Sequence, residues 1–280
     1  MGIDSSSVAV ITGAGSGIGK SLALRLGRER IAGIAISDVN EAGLRETAAA
    51  VNAMGVKVSS HVVDVSDYDQ VKSFADSVIS EHGRVSHLIN NAGVGLIGTF
   101  EQISIEDFEW LMKINFWGVV YGCKTFLPIL RQQESAHIIN VSSVFGLIAP
   151  EEQSAYCSSK FAVRGFTESL RHEMAGTNIS VSCVHPGGIK TNIARNSRLG
   201  KDAPEEWKVQ GAKFFDKVAK TSADEAAEII IRGIKARDPR ILIGKDAHAI
   251  STISRLFPRK YLAVLERLSG HKMSLRKKLG

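Results

Sequence analysis

Short apolar runs rich in β-branched residues alternate with helix-length segments along nearly the whole chain. That alternation constrains the fold more than any single motif. Residues 8–11, 33–37, 56–63, 87–90, 136–141, 179–185 and 240–243 read as strands. Most lack the in-and-out alternation of a half-exposed sheet, as expected of parallel strands covered by helices on both faces. Residues 20–30, 40–54, 67–82, 108–133, 153–175 and 223–236 read as helices. Asn40 stands where an N-cap belongs, and Val71, Phe74, Ala75 and Val78 make an apolar stripe at helical spacing. Such βαβ repetition predicts an α/β fold, a doubly wound parallel sheet (Rossmann fold) of about seven strands with right-handed crossovers. Ligands in such a sheet sit beyond the carboxyl ends of the strands, where the strand order reverses. On this reading residues 1–245 are one domain, with a polar, mobile helical flap with an apolar underside at 194–220 and an extension at 246–280.

The first strand runs into Thr12, Gly13, Ala14, Gly15, Ser16, Gly17, Ile18 and Gly19. Glycines at a strand-to-helix turn let the backbone approach an anion closely, and the helix N-terminus meets it with free N–H groups. The run is not GxGxxG, because Ile18 stands where that pattern needs glycine. It fits Thr-Gly-x-x-x-Gly-x-Gly through Thr12, Gly13, Gly17 and Gly19. Asp38 ends the second strand, 25 residues after Gly13. A carboxylate there accepts from the 2′-OH of NAD and repels the 2′-phosphate of NADP. Positions Ser16, Ser37 and Val39, where Arg or Lys would favour NADP, carry neither. NAD is therefore the expected cofactor and NADP the less favoured one; the competing reading makes Asp38 a cap for the helix at Asn40. After the third strand, Asp64 could accept from an adenine amino group while Val65 supplies its N–H, or Asp64 is an ordinary turn acid.

Tyr156 and Lys160 are four apart on a predicted helix and so face one side. A free tyrosine has a pKa of about 10, and a neighbouring cation is expected to lower it. A shift of about 3 units corresponds to roughly 4 kcal/mol, within reach of two close cations in a partly dry cleft. Ser143 lies just past the strand at 136–141, at its carboxyl end, where its hydroxyl could hold a substrate oxygen. Tyr-x-x-x-Lys recurs by chance and needs company to mean anything. Cys157, beside the tyrosine, reads as a small packing residue, since no histidine is placed to activate it.

The company is present. Over about residues 8–245 the chain resembles the classical short-chain dehydrogenase/reductase family. The matches are the Thr12–Gly19 turn, Asp64 and Val65, the run Asn90, Asn91, Ala92, Gly93, then Asn115, Ser143, Tyr156 with Lys160, and Pro186 with Gly187. They occur in the family's order and near its spacing, and the spacing of 13 before Tyr156 selects Ser143 over Ser142. The resemblance implies an NAD(P)-dependent oxidoreductase acting on CH–OH groups, with Tyr156 as general acid/base. It implies that Asn90–Gly93 closes the fourth strand over the adenine ribose. Asn115 would hold a water linking Lys160 to solvent. Pro186 and Gly187 would line the nicotinamide, with Ile189 and Thr191 at its carboxamide. A homodimer or homotetramer through the helices at 108–133 and 153–175 is implied as well.

The substrate is expected from the candidate wall. It comprises residues 94–96, 145–149, Gln153, Gly188 and the flap around Trp207, Phe214 and Phe215. The wall is mostly apolar, with no Arg or Lys placed to bind a carboxylate, so a hydrophobic secondary alcohol, ketone or long-chain aldehyde is favoured. The flap aromatics could equally pack the flap onto the domain. Two rivals differ in their signatures. An NADPH-dependent acyl reductase would carry basic residues near Ser16 or Ser37. A non-catalytic nucleotide-binding module would have little reason to keep Ser143, Tyr156, Lys160 and Asn115 together.

Charge bears on partners. From Arg255 to Gly280 there are eight Lys or Arg against one acid, Glu266, so the net +6 resides in the tail and the other residues sum to −1. Nucleic-acid binding by the domain is thereby unsupported. The tail reads as one or two amphipathic helices broken at Pro258. They would serve either to pack on the subunit or its neighbour, or to attach peripherally to anionic lipid at a membrane surface. No apolar run approaches the roughly 20 residues of a membrane span. Cys123, Cys157 and Cys183 are scattered and odd in number, which argues against a disulfide framework or a metal site and for a cytoplasmic setting.

Overall fold

The computed structural model describes residues 2–270. Seven parallel strands form one sheet. They are β1 (Val8–Thr12), β2 (Gly33–Asp38), β3 (Lys57–Val62), β4 (His87–Asn90), β5 (Ala136–Val141), β6 (Ile179–Pro186) and β7 (Arg240–Ile243). Their order is β7-β6-β5-β4-β1-β2-β3, every neighbouring pair parallel. The chain thus winds one way from β1 to β3 and the other way from β4 to β7. The crevice of such a sheet opens between β1 and β4. Every residue of β1, β4 and β5 is buried, which is why these strands show no in-and-out alternation and even their His and Asn residues are enclosed, whereas the edge strand β3 is partly exposed.

Side chains of successive strand residues leave the sheet on opposite faces. Ala9 and Ile11 enter one core layer with Leu22, Leu26, Ile34, Ile230 and Ile234, under α1 (Gly17–Arg28) and, further along the chain, α8 (Ala223–Ala236). Val10 enters the other with Phe74, Val78, Leu88, Phe126 and Leu130, which involves α3 (Tyr68–His82). Helix starts follow the expected chemistry. Asn40 accepts from Gly43 N to cap α2 (Glu41–Asn52), Asp67 caps α3, and Ser222 with Glu225 forms a capping box on α8.

Three expectations change in detail. Helix α1 begins at Gly17, not at residue 20, so the last glycines of the run are its first turn. The single helix expected at 108–133 is α4 (Ile105–Met112) and α5 (Gly118–Arg131) joined by a π-helical turn, Lys113–Trp117, in which Gly118 N–H bonds Lys113 O five residues back. The insertion has a cause: buried Asn115, in that turn, reaches across to the backbone of Val94. The flap is tied down at its root. Arg198–Leu199 pairs with Leu96–Ile97, and the Arg198 guanidinium lies 3.6 Å over the Trp110 ring and 2.9 Å from Asp107. Within the flap α7 (Glu206–Val218) buries Trp207, while Phe214 and Phe215 are half-buried.

The extension folds as α9 (Lys245–Leu256) and α10 (Tyr261–Ser269), on either side of Pro258. Between β5 and α6 (Ser154–Glu173) lies a short 3-10 turn, Val144–Gly146. Ala247, Ile250 and Leu265 of the extension pack on Val144, Leu147 and Ile148, and Tyr261 Oη accepts from Ala149 N at 3.1 Å. Lys272, Arg276, Lys277 and Lys278 lie outside the described residues. Among those described, no helix is long and apolar enough to cross a membrane.

Candidate active site

The glycine turn has the shape of an anion cradle. Gly13 and Gly17 adopt left-handed backbone, with φ of 67° and 53°. A Cβ on Gly13 would lie 2.7 Å from Ala92 Cα, and one on Gly19 would lie 2.3 Å from Gly13 O. Thr12 and Asn91 brace the turn. Thr12 Oγ1 accepts from the N–H of Asn91 and of Ala92, each at 3.0 Å, while Asn91 Nδ2 donates to the carbonyls of Thr12 and Gly13. The two motifs thus lock the ends of β1 and β4 together across the crevice. On the far side Thr191 reaches Gly17, whose Cβ would meet the Thr191 methyl at 3.2 Å. Gly187 N–H bonds Ile243 O, and Ile189 is buried.

Asp38 faces this turn. One carboxylate oxygen accepts from Gly15 N at 2.9 Å and the other from Asn40 N at 3.0 Å, so it orders the glycine run while capping the approach to α2. A small, glycine-lined cradle with free helix N–H groups and a carboxylate at its rim fits a dinucleotide's pyrophosphate and ribose. Asp64 is engaged locally: one oxygen accepts from Ser66 N and Ser66 Oγ. Those bonds close a turn through one oxygen, and Val65 beside it packs against Gly118.

Ser143, Tyr156, Lys160 and Asn115 converge at the carboxyl ends of β4 and β5. Ser143 caps the 3-10 turn, its Oγ accepting from Phe145 N at 3.1 Å. Its hydroxyl lies close enough to the Tyr156 phenol to work against the effect of burial on the phenol's pKa. Tyr156 packs among Leu96, Leu111 and Ala155 and meets Phe145 edge-on. Lys160 is buried, with Nζ 3.1 Å from Val141 O and 5.7 Å from the Tyr156 ring centroid. Asn115 is fully buried; its Oδ1 accepts from Val94 N at 2.8 Å and its Nδ2 donates to Val94 O at 3.0 Å and Ser159 Oγ at 3.2 Å. Its amide is therefore committed to protein groups. Gly93 closes the gap: a Cβ there would lie 3.2 Å from Asn115 Oδ1 and 3.3 Å from Lys160 Nζ.

The protein's own groups do not supply the expected lowering of the Tyr156 pKa, which counted an oxidised nicotinamide as the second cation beside Lys160. Burial pushes the Tyr156 phenol up to about 12, with Ser143 opposing. The same burial pushes Lys160 down to about 8. Desolvation is the largest cause of both shifts, because charge of either sign costs free energy in a dry cleft. The Cys157 thiol is likewise raised to about 12 by burial, as suits a packing residue.

Two residues at the site carry no clear functional signal in sequence. His185, the penultimate residue of β6, is buried, and its Nδ1 lies 3.0 Å from Ser143 O. A carbonyl only accepts, so Nδ1 carries the proton. Nε2 is the bare nitrogen, buried and without a hydrogen-bond partner. Burial lowers the ring's pKa to about 4, so it stays neutral. Its only trace in sequence is a polar residue inside an apolar strand. Asp246, on α9, accepts from Gly188 N at 2.7 Å, while Thr221 N–H donates to Gly188 O. The loop after β6 is thereby held from both sides.

Comparison with known proteins agrees with this architecture. The family model described as short chain dehydrogenase matches residues 7–202. SadH of Mycobacterium tuberculosis is 44% identical over 257 residues, covering 91% of this chain and 92% of its own. Human estradiol 17-beta-dehydrogenase 11 is 32% identical over 267 residues, covering 93% and 82%. Among solved structures, a short chain dehydrogenase/reductase from Burkholderia phymatum in complex with NAD superposes with a TM-score of 0.82 at 30% identity, covering 98% of both chains. Levodione reductase superposes at 0.78 and 30% identity, covering 88% of this chain and 99% of its own. A family match across most of the chain, and relatives this similar over most of their length, leave one assignment: the chain is an oxidoreductase of the short-chain dehydrogenase family.

Proposed function

We propose that the chain interconverts a hydrophobic alcohol and its ketone or aldehyde with NAD, Tyr156 exchanging the proton. The observation that carries this is the apolar surrounding of the Tyr156 phenol, formed by Leu96, Leu111, Ala155 and Phe145. A polyol or hydroxy acid would strand its polar groups against such a wall. Asp38, engaged with Gly15 at the rim of the cradle, supports NAD over NADP, because a 2′-phosphate there would meet a carboxylate.

The cofactor's residues would be the Thr12–Gly19 turn, Asp38, the stretch Asn91–Gly93, and Pro186, Gly187, Ile189 and Thr191. When bound, NAD supplies the hydride acceptor or, reduced, the donor. Ser143 Oγ holds the substrate oxygen. Tyr156 Oη, protonated at neutral pH by its own environment, is set to give its proton to that oxygen as a carbonyl is reduced. Removal of a proton from an alcohol needs added positive charge beside the ring, part of which Lys160 Nζ supplies.

The similarity to estradiol 17-beta-dehydrogenase 11 and to levodione reductase supports alcohols or ketones as the substrate class. A panel of alkyl, aryl and steroid alcohols, assayed with NAD⁺ and NADP⁺ in parallel, tests both parts. Turnover of apolar secondary alcohols with NAD⁺ is expected. Turnover confined to polyols or hydroxy acids would overturn the substrate class, and preference for NADP⁺ the reading of Asp38.

A further inference from the structure

The joint between α9 and α10 exposes six consecutive residues, Arg255, Leu256, Phe257, Pro258, Arg259 and Lys260. Leu256 is 66% exposed and Phe257 48%. Large apolar side chains are normally found singly on a soluble surface; here two stand together at the tip of a turn, flanked by three cations. Arg267 on α10 adds a fourth exposed cation. Elsewhere on the surface Lys20, Arg25, Arg164, Arg195, Arg198 and Lys235 are each paired with a carboxylate. Among the described residues no carboxylate pairs with any of these four.

The turn is also held firmly. Ala247 and Ile250 before it, and Tyr261 and Leu265 after it, pack on Val144, Leu147 and Ile148. Tyr261, the residue next to Lys260, accepts a hydrogen bond from Ala149 N. The inward faces of both helices are thus occupied, and the apolar residues of the joint have no place in the core to turn to.

We infer that this joint is a docking surface for an anionic phospholipid bilayer. Leu256 and Phe257 enter the acyl boundary, and Arg255, Arg259 and Lys260 meet the phosphates. Charge complementarity selects this occupant: each cation near an anionic leaflet strengthens attachment about fivefold, and the apolar pair adds insertion that a purely ionic contact lacks. Lys272, Arg276, Lys277 and Lys278, further along the chain, carry the same sign. On the proposed function, such docking would bring the wall at 144–149 close to lipid-borne hydrophobic alcohols; the docking itself does not depend on that reading.

The test is co-sedimentation of the full chain with vesicles of phosphatidylcholine alone, or of phosphatidylcholine with phosphatidylglycerol, at low and high salt. At low salt the bound-to-free ratio is expected to be at least about tenfold higher on the anionic vesicles, and to fall as salt screens the charges. Leu256→Ser with Phe257→Ser is expected to weaken sedimentation while leaving soluble turnover intact. Arg255→Glu with Arg259→Glu is expected to abolish the preference for anionic lipid. Equal binding to both vesicle types, or none, overturns the inference. So does a fall in solution oligomer size with the Leu256/Phe257 variant and no change in vesicle binding, which would assign the patch to a second copy of the chain. Absence of turnover on apolar alcohols by the unmodified chain, with vesicle binding present, would instead overturn the proposed function alone.

Discussion

Asn115→Ala removes three hydrogen bonds and strands two backbone groups. The Val94 N–H and C=O lose their partners, and Ser159 Oγ loses the bond it accepts while keeping the one it donates to Tyr156 O. A buried polar group left unsatisfied costs about 1–3 kcal/mol. Val94 is only half-buried, so water can reclaim part of the loss, and a total of about 2–4 kcal/mol is expected. With an unfolding entropy of about 2.1 cal/mol/K per residue, a chain of this length loses roughly 3–7 °C of Tm. Asn115→Asp separates the cause from mere loss of volume. Its carboxylate can still accept from Val94 N, but its second oxygen then faces the Val94 carbonyl unless it is protonated. The folded state therefore raises this acid's pKa above the unfolded value of about 3.9. The folded form holds more protons in that window, so the variant's stability falls as pH rises from about 4 through the folded pKa, by up to about 1.4 kcal/mol per unit. Thermal unfolding followed by circular dichroism between pH 5 and pH 8 measures both. The alanine variant should be destabilised throughout, and the aspartate variant should be nearer wild type at pH 5 than at pH 8. A loss below about 1 kcal/mol in the first, or a flat pH profile relative to wild type in the second, would refute the pairing with Val94.

Gly19→Ala would place a methyl 2.3 Å from Gly13 O and 2.6 Å from Asn91 Nδ2. It should weaken NADH binding, read by fluorescence, and lower Tm together. Tyr156→Phe should reduce turnover by about 10²–10⁴ while NADH binding is retained; turnover within tenfold of wild type would remove Tyr156 from the proton transfer. His185→Asn places an amide donor where Nδ1 stands and should keep most of kcat, whereas His185→Gln, which mimics Nε2, should lose it. Equal activity of the two would show that the bond to Ser143 O does not position the serine. Lys160→Met should abolish activity yet raise stability at pH 7 by up to about 3 kcal/mol, less what stranding the Val141 carbonyl costs. Because the folded pKa of Lys160 lies near 8 and the unfolded value is 10.5, its penalty is fully present below pH 8 and is relieved as pH rises through that window, so the methionine variant's advantage should disappear by about pH 10.5.

What could be read from the sequence follows from which interactions leave a local trace. All seven strands were legible because short β-branched runs mark them, most without alternation since they are buried on both faces, and their ends shifted by only a residue. The glycine turn was legible because left-handed φ at Gly13 and Gly17 restricts the residue type. The π turn was not, since it is set by Asn115 reaching Val94, a contact 21 residues away with no compositional mark. His185 and Asp246 were silent for a related reason: each binds a backbone group on a distant segment, and a backbone partner has no identity in sequence.

The Tyr156–Lys160 pair shows where spacing stops being informative. Four residues of separation put both groups on one helical face, and that much is geometry. The sign of their pKa shifts depends instead on how much water the surrounding fold removes. The fold removes enough to raise the phenol to about 12 and depress the amine to about 8. These shifts move each group toward its neutral form, so the pair resists charge separation until charge is brought to it. A phenol held neutral can donate a proton to a carbonyl oxygen without further help. Accepting one from an alcohol requires positive charge beyond Lys160 at the ring. The demand is therefore asymmetric. Burial among Leu96, Leu111 and Ala155, which the Tyr-x-x-x-Lys spacing does not encode, is what raises the phenol.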